Sequence, residues 1–249
     1  MKTIKVLLFQ FLIISQLSAY SQNAYEIVRK MDDKVKGQST QAEITIKIIR
    51  PKWERELSMK LWTKGFDFSM VLVFAPTKEK GNAFLKRRKE VWNWIPGIEK
   101  IIKLPPSMMS QSWMGTDFTN DDLVKHNSVL NDYSHKIIGE TEIDGSTCYK
   151  IEMLPKPESS VIWGKIISYI DKKEYIQRRA EFYDEENVLV NLLKGTDVKI
   201  LGGKKLVSKI EMTPVEKPGF KTILIYNSLL FDKHIEDNFF NPEKMKNLN

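Results

Sequence analysis

Side chains that could do chemistry are thinly spread along this chain. Asp117, Asp121 and Asp122 lie close together, but a calcium loop would need alternating acidic ligands, a central glycine and a terminal glutamate, which this stretch lacks. His126, His135 and His234 are scattered, with no pair at the spacing of helical metal ligands. No Gly-x-Ser-x-Gly elbow, phosphate-cradling glycine loop or cysteine ligand pair occurs. We therefore expect no catalytic residue, no metal site and no cofactor, and do not read the chain as an enzyme. The single cysteine, Cys148, has no partner for an internal disulfide and reads as a small apolar side chain within a strand.

The three aspartates belong to a more informative stretch, Ser112 to Leu123. Thr119 or Asn120 can accept from the first free amides of a helix, and Asp121 and Asp122 would then occupy its positive first turn. Thr119 and Asp122 also have capping-box spacing. A helix starting near Asn120 is thus expected. Just before it, Met108, Met109, Trp113, Met114 and Phe118 carry a large apolar load through a region broken by Pro105 and Pro106.

The elements that must position this stretch are mostly strands. Apolar residues at Ala24, Ile27, Val28, Met31 and Val35 have the spacing of one helical face, from about Gln22 to Lys36, and Gly37 ends the run. The period then changes to two. Ala42, Ile44, Ile46 and Ile48 alternate with polar residues, as do Leu57, Met59 and Leu61. The segment from Phe66 to Phe74 is apolar on both faces, and shorter segments follow at 83–85 and 91–95. Asp144 and Gly145 form a type I′ turn signal between strands at 133–142 and 146–154. Further strands fit 161–170, 175–183, 188–200, 204–213 and 220–231. Eleven or twelve antiparallel strands with one N-terminal helix make a mainly β (α+β) chain, and so large a sheet is expected to curl.

Lys2 and Lys5 precede an apolar run from Val6 to Leu17, followed by small residues at Ser18, Ala19 and Ser21. This is the order of a secretory signal peptide over residues 1–21, with cleavage near Gln22, and the run is too short to span a bilayer as a helix. No cysteine stands at the cleavage site, so a released periplasmic protein is expected, with one domain over residues 22–249. The net charge is +7, of which Lys2 and Lys5 carry two; this favours acidic partners or an anionic membrane surface and does not specify nucleic acid. The basic run Lys86, Arg87, Arg88 and Lys89 reads as a solvated turn.

The wording of Ser112–Leu123, with the aromatic, proline-ended strand Trp92, Asn93, Trp94, Ile95, Pro96, resembles one branch of the LolA/LolB-like outer-membrane lipoprotein-sorting proteins, although that family usually carries a tyrosine at the position of Trp94. The resemblance implies a half-open antiparallel barrel whose apolar concave side is partly covered by an N-terminal helix and a helical lid. It further implies a carrier of acylated lipoprotein, moving between an inner-membrane donor and an outer-membrane acceptor with transient contact at the membrane surface. The alternative is a carrier of free lipid or glycolipid supplied by an inner-membrane exporter.

A lined apolar hollow would then be needed, because each exposed methylene costs about 0.8 kcal/mol. The expected lining is Ile44, Ile46, Ile48, Leu57, Met59, Leu61, Phe68, Met70, Leu72, Phe74, Trp92 and Trp94; the expected lid carries Met108, Met109, Trp113, Met114 and Phe118. On composition alone an ordinary packed core accounts for the same strand residues, and a hydrophobic cluster beneath a long loop accounts for the midsection. Arg178 and Arg179 lie in a strand, but neither can be aligned with the inward arginine that holds the lid in known carriers.

Overall fold

The computed structural model describes residues 24–125 and 129–248. The expected signal peptide, its cleavage site and His126 lie outside them. Residues 24–35 form a helix, α1, whose Ile27 and Val28 are buried and whose Met31 packs beside them. Thirteen strands follow: β1 (Ser39–Arg50), β2 (Trp53–Lys64), β3 (Phe68–Ala75), β4 (Ala83–Arg87), β5 (Glu90–Ile95), β6 (Lys100–Leu104), β7 (Tyr133–Ile143), β8 (Ser146–Pro155), β9 (Lys165–Asp171), β10 (Gln177–Tyr183), β11 (Leu189–Leu201), β12 (Lys204–Pro214) and β13 (Lys221–Phe231).

All thirteen belong to one antiparallel sheet in the order β6-β5-β4-β3-β2-β1-β13-β12-β11-β10-β9-β8-β7. The first six strands therefore run outward from the centre to one edge. The chain then leaves the sheet, re-enters at the opposite edge with β7, and returns inward until β13 pairs with β1. β6 and β7 do not pair, so the sheet stays open. Laid flat, so many strands would span nearly 60 Å, at about 4.8 Å per strand. One buried cluster nevertheless joins Val71, Phe84 and Val91 of one half with Ile151, Ile170 and Leu193 of the other. Only a strongly curled sheet brings those faces together.

Register follows the period-two pattern. Ile44 pairs with Met59 and Ile46 with Leu57, so the dry faces of β1 and β2 coincide on the concave side. β3 differs because both of its faces are buried. Val71 and Val73 turn into the concave cluster, while Met70 and Leu72 turn outward against Ile235, Phe240 and Met245 of the C-terminal segment. That segment, with short 3-10 turns at Asp237–Phe239 and Pro242–Asn247, covers the convex face of β3 to β5.

Three expectations change here. β6 lies in a region read as irregular; it is a short edge strand whose Lys100, Ile102 and Lys103 are exposed, so it lacks the half-buried alternation that marks a strand in sequence. The helix expected near Asn120 is a single π-helical turn, Asp121–Lys125, among the described residues. The basic run is only partly solvated: Lys86 is buried, its Nζ donating to the carbonyl of Phe66 at 2.7 Å, whereas Arg87 and Arg88 are exposed.

Gly164, just before β9, lies so close to the Asp184 carbonyl that a Cβ could not fit without moving backbone. It follows Trp163, whose ring packs on Phe182 at 5.1 Å. Gly164→Ala should destabilise the chain by about 1–3 kcal/mol, the usual cost of overpacking, read as a lowered urea midpoint with unchanged slope.

Candidate ligand-binding cavity

The concave side is filled in one half and hollow in the other. Between β6 and β7 the chain crosses this face, and Met109, Trp113 and Phe118 enter the buried cluster formed by β1 to β5. Trp113 is fully buried against Phe84, with ring centroids 5.4 Å apart. The other half keeps a cavity of about 280 Å³, just below the roughly 300–1,000 Å³ seen for ligand pockets. Its wall comes from α1 (Met31, Asp32, Val35), from the crossover (Phe118, Asp121, Asp122, Leu123) and from strands β8 to β13, chiefly Met153, Ile166, Phe182, Leu193, Leu206, Met212, Leu224 and Tyr226.

Local hydrogen bonding explains the crossover's shape. Thr119 and Asp122 form the expected reciprocal box: the Thr119 amide donates to Asp122 Oδ2 at 2.9 Å, and the Asp122 amide donates to Thr119 Oγ1 at 3.1 Å. Asp122 Oδ1 also accepts from Trp163 Nε1 at 3.1 Å, tying the crossover to the strand side of the cavity. Burial holds the Asp122 carboxyl above its ordinary value against these stabilising bonds. Asn120 closes the loop from within, its amide donating to the Gln111 carbonyl and its Nδ2 to the Met108 carbonyl, both at 2.9 Å.

Two strand arginines fasten the crossover's other end. Arg50 donates from Nη1 to Asp117 Oδ2 at 2.9 Å and from Nη2 to the Gly115 carbonyl at 2.7 Å. Thr222 Oγ1 donates to the same carboxylate oxygen at 2.7 Å. The Arg50 and Asp117 side chains are only 7% and 8% exposed, so the pair is shielded from solvent. Arg55 donates to the Met114 carbonyl and, at 3.2 Å, to Glu79. Met114 and Gly115 take positive φ here, turning the backbone so that adjacent carbonyls meet the two guanidinium groups.

Against this geometry, comparison with known proteins is decisive for the family. A family model described as that of an uncharacterized protein matches residues 65–247. The chain belongs to that family. Its fold is LolA-like: it matches a LolA superfamily protein from Nitrosomonas europaea at 23% identity and a TM-score of 0.78, over 89% of this chain and 98% of that one. An outer membrane lipoprotein-sorting protein domain from Vibrio parahaemolyticus matches at 20% identity and a TM-score of 0.80, over 91% and 99% of the two chains. A DUF1329 family protein from Desulfovibrio piger matches at 21% identity and a TM-score of 0.81, over the same shares. No curated protein matches the sequence.

Within this LolA-like fold, the twelve residues expected to line the hollow do not share one surface. Ile44, Ile46, Ile48, Leu57, Met59 and Leu61 sit in the packed concave half. Met70, Leu72 and Trp94, with the half-buried Phe68 and Trp92, lie in the convex cluster under the C-terminal segment. Phe74 is 37% exposed. None of the twelve borders the 280 Å³ cavity, although Leu61 and Phe68 border a smaller one of about 40 Å³. The physical reason is that the crossover's own large side chains occupy the space over β1 to β5.

Of the five expected lid residues, Met109, Trp113 and Phe118 are buried, Met108 and Met114 are half-buried, and Phe118 reaches the cavity. Arg50 and Arg55 were not singled out from sequence; each adjoins the β1–β2 turn, a position that gives no sign of what crosses above it. Arg178 and Arg179 instead pair with Asp171 and Glu181. His135 is buried, with its ring Nε2 2.7 Å from the Val129 carbonyl and its pKa lowered by that burial, while His234 is exposed beside Glu236. Among the described residues no group of three or more His, Cys, Asp or Glu could hold a metal ion.

The buried ion pair and the buried phenol each lead to a measurable outcome. Removing one member of a buried ion pair costs about 3–5 kcal/mol, more than replacing both with apolar groups. Arg50→Met alone should lower stability by about that amount in urea unfolding, and Arg50→Met with Asp117→Leu should recover part of the loss. Separately, burial pushes the Tyr226 hydroxyl up to about 12. The folded state then keeps this proton where the unfolded chain has lost it, so stability falls as pH rises from 10 towards 12. Tyr226→Phe should show a smaller loss of urea midpoint between pH 8 and pH 11 than the parent protein.

Proposed function

We propose that this LolA-like chain is a periplasmic carrier that shields acyl chains of lipoprotein or lipid cargo from water and passes them towards the outer membrane, without enzymatic turnover. The observation that carries the reading is the unfilled apolar hollow. About 280 Å³ lies open between β8 to β13, α1 and the crossover. Apolar wall in contact with water forfeits burial energy, and an acyl chain laid against it recovers that energy. The mature protein begins near Gln22, and the donor and acceptor are membrane components on either side of the periplasm.

The magnitudes suit a carrier. Burying about ten methylenes gains about 8 kcal/mol before the cost of association, so affinity is at most about micromolar and far from picomolar. Cargo held that firmly is retained in solution and still released. The crossover from about Met108 to Asp122 acts as the lid, because it borders the cavity through Phe118, Asp121 and Asp122 and its side-chain bonds to the surrounding sheet run through Arg50, Arg55, Thr222 and Trp163.

A fluorescent fatty-acyl probe tests this directly. Leu193→Trp, which fills the cavity from its strand wall, should weaken probe binding at least tenfold while the melting temperature changes by no more than a few degrees. Ile46→Val, in the packed half, should lower stability by about 0.5–1.5 kcal/mol and leave probe affinity unaltered. Equal effects of both substitutions on binding would remove the cavity from consideration. Hydrogen exchange should show residues 108–122 gaining protection when the probe is added, with β1 and β2 unchanged.

A further inference from the structure

The cavity wall is not uniformly apolar, and its polar groups are unevenly matched. Asp32, on α1, borders the cavity with its side chain only 8% exposed. Its Oδ1 accepts from Lys36 Nζ at 2.7 Å, but its Oδ2 is buried with no hydrogen-bond partner. Burial raises the carboxyl's pKa, against the lowering effect of Lys36. Native proteins rarely leave such an atom unsatisfied, since a buried acceptor without a donor loses the bonds it had in water.

No other wall group donates to that oxygen, and Gln177 Nε2 is engaged with Ser168 Oγ at 2.8 Å. Both Asp122 oxygens are taken by Thr119 and Trp163, and the Tyr133 hydroxyl donates to the Trp163 carbonyl. Lys34, the other cation bordering the cavity, pairs with Glu174 at 3.6 Å. The wall sets three aspartates, Asp32, Asp121 and Asp122, against two lysines, Lys34 and Lys36, each already paired with a carboxylate, so its charge is on balance negative. A carboxylate or phosphate placed inside would meet like charge.

Resting on the acyl-cavity reading, we propose that Asp32 is a polar subsite that selects acyl chains whose linkage carries an N–H or O–H donor, which bonds to Asp32 Oδ2. Amide-linked or hydroxyl-bearing acyl compounds are then preferred over simple esters and over fatty-acid anions. The hydrocarbon occupies the apolar wall formed by Leu193, Leu206, Met212 and Leu224, and the donor lies at the α1 side.

Displacement of a fluorescent acyl probe from the full-length protein separates these claims. N-methyl lauramide has one N–H; N,N-dimethyl lauramide and methyl laurate match its chain and lack it. N-methyl lauramide should displace the probe at least tenfold more tightly than either, and laurate anion should be weakest. Dodecanol, which carries an O–H donor, should share the preference over methyl laurate. Asp32→Leu should abolish the discrimination, bringing the ratio of N-methyl lauramide to methyl laurate affinity down to about one. Equal displacement by donor and non-donor compounds in the parent protein would overturn the subsite and leave the cavity standing, a result that does not depend on the variant folding. Failure of every laurate derivative to displace the probe would instead defeat the acyl-cavity reading and the subsite with it.

Discussion

Between Leu104 and Tyr133 the chain has to travel from one edge of a thirteen-stranded sheet to the other, because β6 and β7 are the two ends of the strand order. Everything distinctive about this molecule depends on that route. An extended chain could skirt a curled sheet, but this one crosses its concave side and leaves Met109, Trp113 and Phe118 buried there. Burial of such side chains is worth about 1.5–3 kcal/mol each, so the route is set by hydrophobic packing as well as by connection. The crossover also divides the concave space: the half it occupies becomes core, and the half beyond it stays hollow.

Polar bonds hold the crossover where packing leaves it. A loop with Pro105, Pro106, Gly115 and a reversed backbone at Met114 cannot satisfy its carbonyls by regular secondary structure. Arg50 and Arg55 take on that task for Gly115 and Met114, Asp117 neutralises Arg50, and Thr222 completes the carboxylate. On the cavity side the Trp163–Asp122 bond has the corresponding role. The attachment is thus strong at the filled half and slight beside the hollow. A segment anchored in that way can yield at its cavity end without releasing Trp113 from the core.

β1 and β2 could be read from periodicity because each buries one face, and β7 and β8 from the Asp144–Gly145 turn signal between them. The Thr119–Asp122 box was legible for a similar reason: capping is a local interaction, specified within four residues. β3 was harder, since alternation carries no information when both faces are apolar, and the cover over its outer face comes from Ile235, Phe240 and Met245 far along the chain. Those residues form an apolar set after the last strand, whose destination the pattern did not reveal. The hollow was least legible. Leu57 and Leu193 look alike in a strand, and only the path of the crossover decides that one is packed and the other borders empty space.

The division of the concave face also bears on how a sheet of this build keeps its stability. A sheet closed around a large void would depend on its ligand to fold, because each unfilled cubic ångström costs about 24 cal/mol in lost packing. Here the void is confined to one half, while Ile44, Ile46, Ile48 and Leu57 are packed to the limit of exposure with Trp113 above them. The filled half stabilises the sheet and, through shared strands β1 and β13, holds the register of the hollow half. α1 and the crossover then need only limit access to a space that the rest of the fold does not require to be full. Opening at the cavity is then a local event, the physical condition that the proposed carrier role requires.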